Sequence, residues 1–374
     1  MKIAMLGHKR IPSREGGIEI VVEKLATAFA KAGHDVTVYN RRGHHVSGAQ
    51  FNAGSSRKEY KGVKLKNVFT FKGSALNAIV YSALASLKVC FSDCEVVHYH
   101  AEGPASMCFL PKLFKKRVIV TIHGLDWQRA KWGGFATKFL LFGERTAVKH
   151  ADEIIVLSKN VQEYFLEKYA RKTVFIPNGA DRGEYVGDEI LRNKYAISRD
   201  SYILYLGRLV PEKRCELLIK AYMNTDTDKK LVIAGGASHT GEYETELHEL
   251  AKNDGRIIFT GFVEGETLSA LYSNAYIYCL PSDIEGMPLS LLEAMSYSNC
   301  CLTSDIAECT EVCKDRAVYF RKNDLSSLEE KLTLLLNDGA LVRGYKDAAA
   351  DYITEKYNWD DIAEKTLALY RGEK

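Results

Sequence analysis

The stretch Ser201-Tyr202-Ile203-Leu204-Tyr205-Leu206-Gly207-Arg208-Leu209-Val210-Pro211-Glu212-Lys213-Arg214 decides the fold. A short apolar run passes through a glycine into a charged loop, and a helical pattern follows. Repetition of that step is the signature of parallel sheets wound from strand-helix-strand units. Earlier runs predict strands at 2–6, 35–39, 63–69, 95–99, 117–122, 152–156 and 173–176. The run at 201–206 then opens a second series, continued at 229–234, 256–260, 276–280, 299–303 and 316–320. Between the two series lies Ile176-Pro177-Asn178-Gly179-Ala180-Asp181-Arg182-Gly183, punctuated like a linker. From Asp324 the pattern is helical, with Ser326 and Glu329 spaced as a capping box. These readings predict an α/β chain with two doubly wound domains, 1–180 and 181–358, and a helix at 359–374 that crosses back to the first. Two such domains are expected to turn their strand carboxyl ends, and the loops that carry chemistry, toward a central cleft.

At 374 residues the chain has room for two cores. No run approaches the roughly 20 apolar residues of a membrane span. Polar residues follow Met1-Lys2-Ile3-Ala4-Met5-Leu6 too soon for a signal peptide, so the expected compartment is the cytoplasm. Nine cysteines without a Cys-x-x-Cys pair fit reduced thiols better than zinc, with Cys309 and Cys313 neighbours on one helix face. The net charge of +3 conceals a split: residues 1–180 hold 28 Lys and Arg against 14 Asp and Glu, or +14, and the remainder 23 against 34, or −11. A basic first half suits an anionic partner: nucleic acid, an acidic ligand or the anionic inner leaflet of a membrane. Mutual attraction of the two domains is the blander reading.

Outward from the opening stretch, Asp283-Ile284-Glu285-Gly286-Met287-Pro288-Leu289-Ser290-Leu291-Leu292-Glu293-Ala294-Met295 sets two carboxylates around the start of an apolar helix. Pro288 suits the first helical position, with Gly286 and Met287 forming the entry turn, and the amides there are open to an anion. Glu293 falls in the second turn among Leu289, Leu291 and Leu292. An unpaired carboxylate buried there costs several kcal/mol, so a hydroxyl-rich ligand or a cation is its expected partner. In the opening stretch itself, Arg208 is able to fork two phosphate oxygens and Lys213 adds a compact second charge, a pair suited to a diphosphate.

The first loop, Gly7-His8-Lys9-Arg10-Ile11-Pro12-Ser13-Arg14-Glu15-Gly16-Gly17, is not Gly-x-Gly-x-x-Gly, and Asn40-Arg41-Arg42 stands where a dehydrogenase needs a ribose-binding acid. What remains is Gly16 and Gly17 at a helix start, able to approach a phosphate or sugar closely. Thr121-Ile122-His123-Gly124-Leu125-Asp126-Trp127 follows an apolar strand, which aims His123 and Asp126 at the cleft. His98 and His100 read mainly as packing or loop-shaping residues.

Glu285 and Glu293, eight positions apart, with Gly207, Arg208 and Lys213 upstream, resemble the E-x7-E and Arg/Lys signature of family 4 glycosyltransferases, which have the GT-B fold. The opening Lys9-Arg10-Ile11-Pro12-Ser13-Arg14-Glu15-Gly16-Gly17-Ile18-Glu19 further resembles a bacterial subgroup of capsule and exopolysaccharide assembly that includes rhamnosyltransferases. The resemblance implies that Arg208 and Lys213 hold the donor diphosphate, with Gly16 and Gly17 near the phosphate and donor sugar. It implies Glu293 on the ribose and Glu285 around the sugar, with the turn Gly286, Met287, Pro288 and Leu289, whose free amides hold sugar hydroxyls. Phe262 and Val263 would border the base, and His123 would touch the donor sugar or the acceptor, with Asp126 on the acceptor side.

The implied reaction retains anomeric configuration, the departing phosphate oxygen taking the acceptor's proton. The implied donor is a nucleotide-diphosphate sugar, dTDP-rhamnose or a UDP-sugar, and the acceptor a saccharide or undecaprenyl-diphosphate-linked saccharide. No cofactor is expected. With no Asp-x-Asp motif, and two cations able to replace Mg²⁺, no metal is expected either. Lys112, Lys115, Lys116 and Arg117, followed by Trp127, Lys131, Trp132, Phe135, Lys138, Phe139, Leu140, Phe142, Arg145 and Lys149, fit an interfacial segment, hence a peripheral membrane protein. Another sugar-nucleotide enzyme of the same fold, an epimerase or hydrolase, is the alternative; a non-catalytic basic scaffold would leave Glu285 and Glu293 unexplained. Residues from Gly43 to Tyr60 are expected to help choose the acceptor.

Overall fold

The computed structural model describes residues 1–42, 57–71, 74–128, 134–236 and 241–373. Most of the Gly43 to Tyr60 segment, and Lys131 and Trp132, lie outside them. The chain divides into two compact units, Met1–Asn178 with Trp359–Lys374, and Gly179–Asn358.

In the first unit the strands are β1 Lys2–Leu6, β2 Asp35–Arg41, β3 Glu59–Tyr60, β4 Val63–Val68, β5 Val96–His100, β6 Arg117–Ile122, β7 Glu153–Val156 and β8 Val174–Phe175. They lie in the order β3-β4-β2-β1-β5-β6-β7-β8. All pairings are parallel except the short edge pair of β3 and β4, which the alternation of apolar runs did not reveal. Ala4, Leu6, Val97, Tyr99, Val118, Val120 and Ile122 are closed to solvent in one core, as a parallel sheet covered on both faces requires. The helix Trp359–Arg371 packs here: Tyr370 meets Phe29 edge-on at 5.4 Å, and the Arg117 guanidinium donates to the Leu369 carbonyl at 2.8 Å.

The second unit holds β9 Tyr202–Leu206, β10 Lys230–Ala234, β11 Ile257–Gly261, β12 Ile277–Leu280, β13 Cys301–Ser304 and β14 Val318–Phe320, in the order β11-β10-β9-β12-β13-β14. Every pairing is parallel. Its core runs from Ile203, Tyr205 and Ile233 to Leu302, Phe320 and Leu332. All nine cysteines are buried and free, and burial raises the Cys313 thiol to about 12, which keeps it inert. One expectation fails at the helix Leu325–Asn337. Its cap is Asp324, whose carboxylate accepts from the Ser327 amide at 2.9 Å, rather than Ser326 in a capping box. The aspartate sits two residues earlier and reaches the open amides first.

Candidate functional site

In a doubly wound sheet the crevice opens where neighbouring strands send their loops in opposite directions. In the second unit that point lies between β9 and β12. The loop after β9 carries Gly207, Arg208 and Lys213; the loop after β12 carries Glu285 and leads into the helix Leu289–Ser296. The two loops are tied by the Asp283 amide, which donates to the Glu212 carbonyl at 2.9 Å. Across this tie the Lys213 ammonium forms an ion pair with the Glu285 carboxylate. Only 14% of the Lys213 side chain and 7% of the Glu285 side chain are exposed. In so desolvated a place removing one partner strands the other charge, at a cost of about 3–5 kcal/mol. Arg214, held in a left-handed conformation at φ 53°, pairs with Asp283 at 3.1 Å and Glu216 at 2.9 Å.

Backbone bonds carry the site onto its neighbours. The Gly207 amide donates to the Ala234 carbonyl at 3.0 Å, and the Gly235 amide to the Gly261 carbonyl at 2.9 Å. Gly235 sits at φ +142°, and a Cβ there would fall 1.8 Å from the Gly207 oxygen, so only glycine lets these loops approach. Half-buried Phe262 and Val263 follow β11 directly. Gly286, Met287, Pro288 and Leu289 are buried at the helix entry. Two phenols brace the loops: the Tyr205 hydroxyl donates to the Arg208 carbonyl at 3.1 Å, and the Tyr278 hydroxyl bonds Ser290 Oγ at 2.8 Å. Burial holds both phenols well above their ordinary pKa, so both stay protonated.

Two readings of this helix need correction. Pro288 is its N-cap, with an extended ψ of 99°, rather than its first helical residue; its carbonyl accepts from the Leu292 amide at 3.2 Å. Glu293 is half-buried rather than enclosed, and the Tyr272 hydroxyl donates to its Oε2 at 3.2 Å. A phenol from the preceding helix therefore supplies one partner that the sequence assigned to a ligand or cation.

The first unit has its own switch point, between β1 and β5. Gly7 ends β1 at φ +114°, and a Cβ there would lie 2.2 Å from the His100 carbonyl oxygen, so the first loop can press against β5 only as glycine. Asn40 straps that loop, its Oδ1 accepting from the Ile11 amide at 3.1 Å and bonding His8 Nε2 at 2.9 Å. Gly16 caps the helix Gly17–Lys31, and Glu19 in its first turn turns back to accept from the Lys9 amide at 2.8 Å. Gly16 and Gly17 thus border a loop fixed by its own side chains.

His123 follows β6 and is 8% exposed, its Nε2 lying 3.0 Å from His100 Nδ1. The His100 ring lies against His98, tilted by 35° with centroids 4.1 Å apart, and His98 is met on both nitrogens, by the Tyr370 hydroxyl at 2.6 Å and by Thr121 Oγ1 at 2.7 Å. His98 and His100 are fully buried, as packing or loop-shaping residues are, and His100 also borders His123. A signal was available: two histidines two apart in a central parallel strand point to the same covered face, where polar groups require partners. Desolvation lowers the pKa of His8 to about 4 and that of His98 to about 3, and drives His100 well below the ordinary value. Asp126 opens the turn Asp126–Gln128, anchored where Trp127 Nε1 donates to the buried Glu144 carboxylate at 3.2 Å.

The basic segment is also re-sorted. Lys112 pairs with Asp152, Lys116 donates to the Ser92 and Cys94 carbonyls, and Arg117 binds Leu369. On the helix Gly134–His150, Leu140 turns inward, whereas Phe135, Lys138, Phe142, Arg145 and Lys149 form one exposed stripe at helical spacing. No helix among the described residues is long and apolar enough to cross a membrane.

Residues 15–184 match the model of Glycosyltransferase Family 4, and residues 187–359 that of Glycosyl transferases group 1. An uncharacterised glycosyltransferase of Methanocaldococcus jannaschii is 24% identical over 405 residues, covering 99% of this chain and 98% of its own. A Campylobacter jejuni N-acetyl-D-galactosaminyltransferase, named for a diphospho-undecaprenol-linked saccharide, is 26% identical over 86% of each chain. Among solved structures, sucrose-phosphate synthase from Thermosynechococcus elongatus superposes with a TM-score of 0.84 at 20% identity, over 99% of this chain and 98% of its own. With its two units each matched by the corresponding model and its sheets in this arrangement, the chain belongs to the group 1 and family 4 glycosyltransferases and has the GT-B fold.

Proposed function

We propose that the protein is a retaining glycosyltransferase that moves a sugar from a UDP- or dTDP-linked donor, dTDP-rhamnose among them, onto a saccharide or undecaprenyl-diphosphate-linked saccharide in bacterial surface polysaccharide assembly. The observation that carries this reading is the Lys213–Glu285 ion pair at the switch point of the second sheet. It holds a cation where a diphosphate meets the crevice and a carboxylate where sugar hydroxyls would lie. Arg208 and Lys213 take the diphosphate, and their charge counts most as that group departs. Glu285 and the entry of the helix Leu289–Ser296 hold the sugar, Glu293 shares the ribose hydroxyls with Tyr272, and Phe262 and Val263 border the base. In the first unit, Gly16 and Gly17 approach the donor, His123 the transferred sugar or acceptor, and Asp126 the acceptor. The departing phosphate oxygen takes the acceptor's proton, and no metal is required.

The exposed stripe from Phe135 to Lys149 joins two aromatic rings to three cations without an acid, which suits peripheral attachment to an anionic leaflet. Liposome flotation with Phe135→Ser and Phe142→Ser is expected to show binding that depends on both rings and on anionic lipid. For the activity, a thermal-shift screen of UDP-, dTDP- and GDP-sugars identifies the donor class. Stabilisation by one class, lost in Lys213→Ala, supports the reading; no response to any of them sinks it.

A further inference from the structure

His123 is the imidazole assigned to the sugar or acceptor, and its neighbour His100 has no place in that assignment. His100 is 0% exposed. Its Nδ1 lies 3.0 Å from His123 Nε2, and its own Nε2 is buried with no hydrogen-bond partner among the described residues. One proton must lie between the two rings, and two arrangements satisfy the contact. If His123 donates, the proton of His100 sits on Nε2, as a buried N–H with nothing to receive it. If His100 donates, its Nε2 is a bare lone pair. Orphaned buried N–H groups are rarer in proteins than under-satisfied acceptors, which favours the second arrangement.

His8, in the same interior, shows the same preference. Asn40 Nδ2 donates to the Ile11 carbonyl at 3.0 Å, which fixes the amide's orientation and leaves Oδ1 as the acceptor facing His8 Nε2. The proton of His8 is therefore on Nε2, and the nitrogen left without a partner is the bare Nδ1. His100 is held in place to act on its neighbour. Its ring lies against His98, which two hydroxyls clamp, and its backbone presses against Gly7.

We propose that His100 is a positioning residue that donates from Nδ1 to His123 Nε2 and locks His123 as the neutral Nδ1–H tautomer. His123 then meets an oxygen of the sugar or acceptor as a hydrogen-bond donor. With one nitrogen protonated and the other occupied, it has no lone pair to take the acceptor's proton. Burial supports neutrality on the His100 side, since desolvation disfavours its charged form.

The role in transfer rests on the proposed assignment of His123, but the tautomer does not, so the test reads the two separately. Long-range ¹H–¹⁵N spectra of the full-length protein, with His123 identified from a His123→Asn variant, report which nitrogen carries the proton. The expected result is His123 protonated at Nδ1 in the wild type, retained in His100→Asn, whose amide keeps a donor at the δ position, and lost or mixed in His100→Gln. A wild-type His123 protonated at Nε2, or a tautomer unchanged in His100→Gln, overturns the proposal whatever the activity. In turnover assays His100→Gln is expected to lower kcat about tenfold, the worth of one hydrogen bond, with KM little changed and His100→Asn largely restored. Correct tautomers with no such split would overturn the role in transfer and leave the lock standing.

Discussion

The two units share a winding rule and place their chemistry at the same topological point, yet they fill it with opposite electrostatics. At the switch point of the second unit, charges are set against charges: Lys213 on Glu285, Arg214 on Asp283 and Glu216. In the first unit burial keeps the imidazoles of His8, His98 and His100 neutral, with hydroxyls and an amide as partners of His8 and His98, while the charges beside them bind backbone, the Arg41 guanidinium donating to the Gly7 carbonyl at 3.2 Å and the Glu19 carboxylate accepting from the Lys9 amide. A paired-charge site is able to exchange one partner for a ligand anion or hydroxyl at modest cost, because each ion already has a partner of the right sign. A neutral network cannot accept a charge cheaply, and is suited to holding rings and protons in place. The difference fits the proposed division between binding the departing diphosphate and orienting what receives the sugar.

The largest expected effect breaks the charged half of this comparison. Lys213→Ala removes the cation that we propose binds the leaving diphosphate, and strands Glu285. Turnover is expected to fall by about 10²–10³, the range seen when one preorganised electrostatic contact is lost. Glu285→Ala should act comparably on turnover. In urea unfolding each single change is expected to cost about 3–5 kcal/mol, whereas Lys213→Met with Glu285→Leu recovers most of it, since replacing a whole buried pair is close to neutral. A double variant as unstable as the sum of the singles would show that the two residues do not act as a pair.

Acid sharpens the comparison from the other side. The pKa of His8 is about 4 and that of His98 about 3 in the folded chain, against about 6.5 when unfolded. The unfolded state therefore binds more protons between those values, so the stabilisation is complete above pH 6.5 and is lost as pH falls through the window toward 4 and 3. Each histidine contributes about 1.4 kcal/mol per pH unit, or about 4 kcal/mol for the two at pH 5, and His100 adds to this in the same direction. Hydrogen exchange at pH 7 and pH 5 is expected to show β1 and β5 losing protection well beyond that of β9 and β12, once the intrinsic pH dependence of exchange is removed. Equal losses in both sheets would refute the neutral-network account.

Which parts of this arrangement the sequence disclosed follows from the range of the interactions involved. Parallel strands such as Tyr202–Leu206 and Arg117–Ile122 are local, mainly apolar runs, so every strand except the two-residue edge β3 was legible. The pairing of Lys213 with Glu285 was half legible: each residue stood out in its loop, but only the adjacency of β9 and β12 in the sheet brings positions 72 apart into contact. The partners of Glu293 and His123 were not legible in their own segments. Tyr272 belongs to an otherwise unremarked helix, and His100 sits on another strand. The helix cap at Asp324 was misread for a subtler reason, since Asp and Ser both cap well and only the chain's entry angle decides between them.

The smallest expected effect compares one hydroxyl from each half. Tyr370→Phe removes the phenol that meets His98 Nδ1 at 2.6 Å, in surroundings closed to water. A buried ring nitrogen left without a partner costs about 1–3 kcal/mol. Tyr278→Phe removes the bonds to Ser290 Oγ and, more weakly at 3.3 Å, to the Leu206 carbonyl, but both partners are half-buried and water can replace what they lose, so the net cost should be nearer 0.5–1 kcal/mol, roughly that of an ordinary hydrogen bond. Chemical denaturation of the two variants is therefore expected to rank Tyr370→Phe as the more damaging. Protonation offers a further discrimination: the unpartnered His98 of Tyr370→Phe should hold its neutral form less firmly, and a folded state that takes up the proton more easily loses less stability in acid, so the gap between the variants should narrow from pH 7 to pH 5. A gap that stays constant would place the contribution of Tyr370 in packing against Phe29 rather than in the imidazole network.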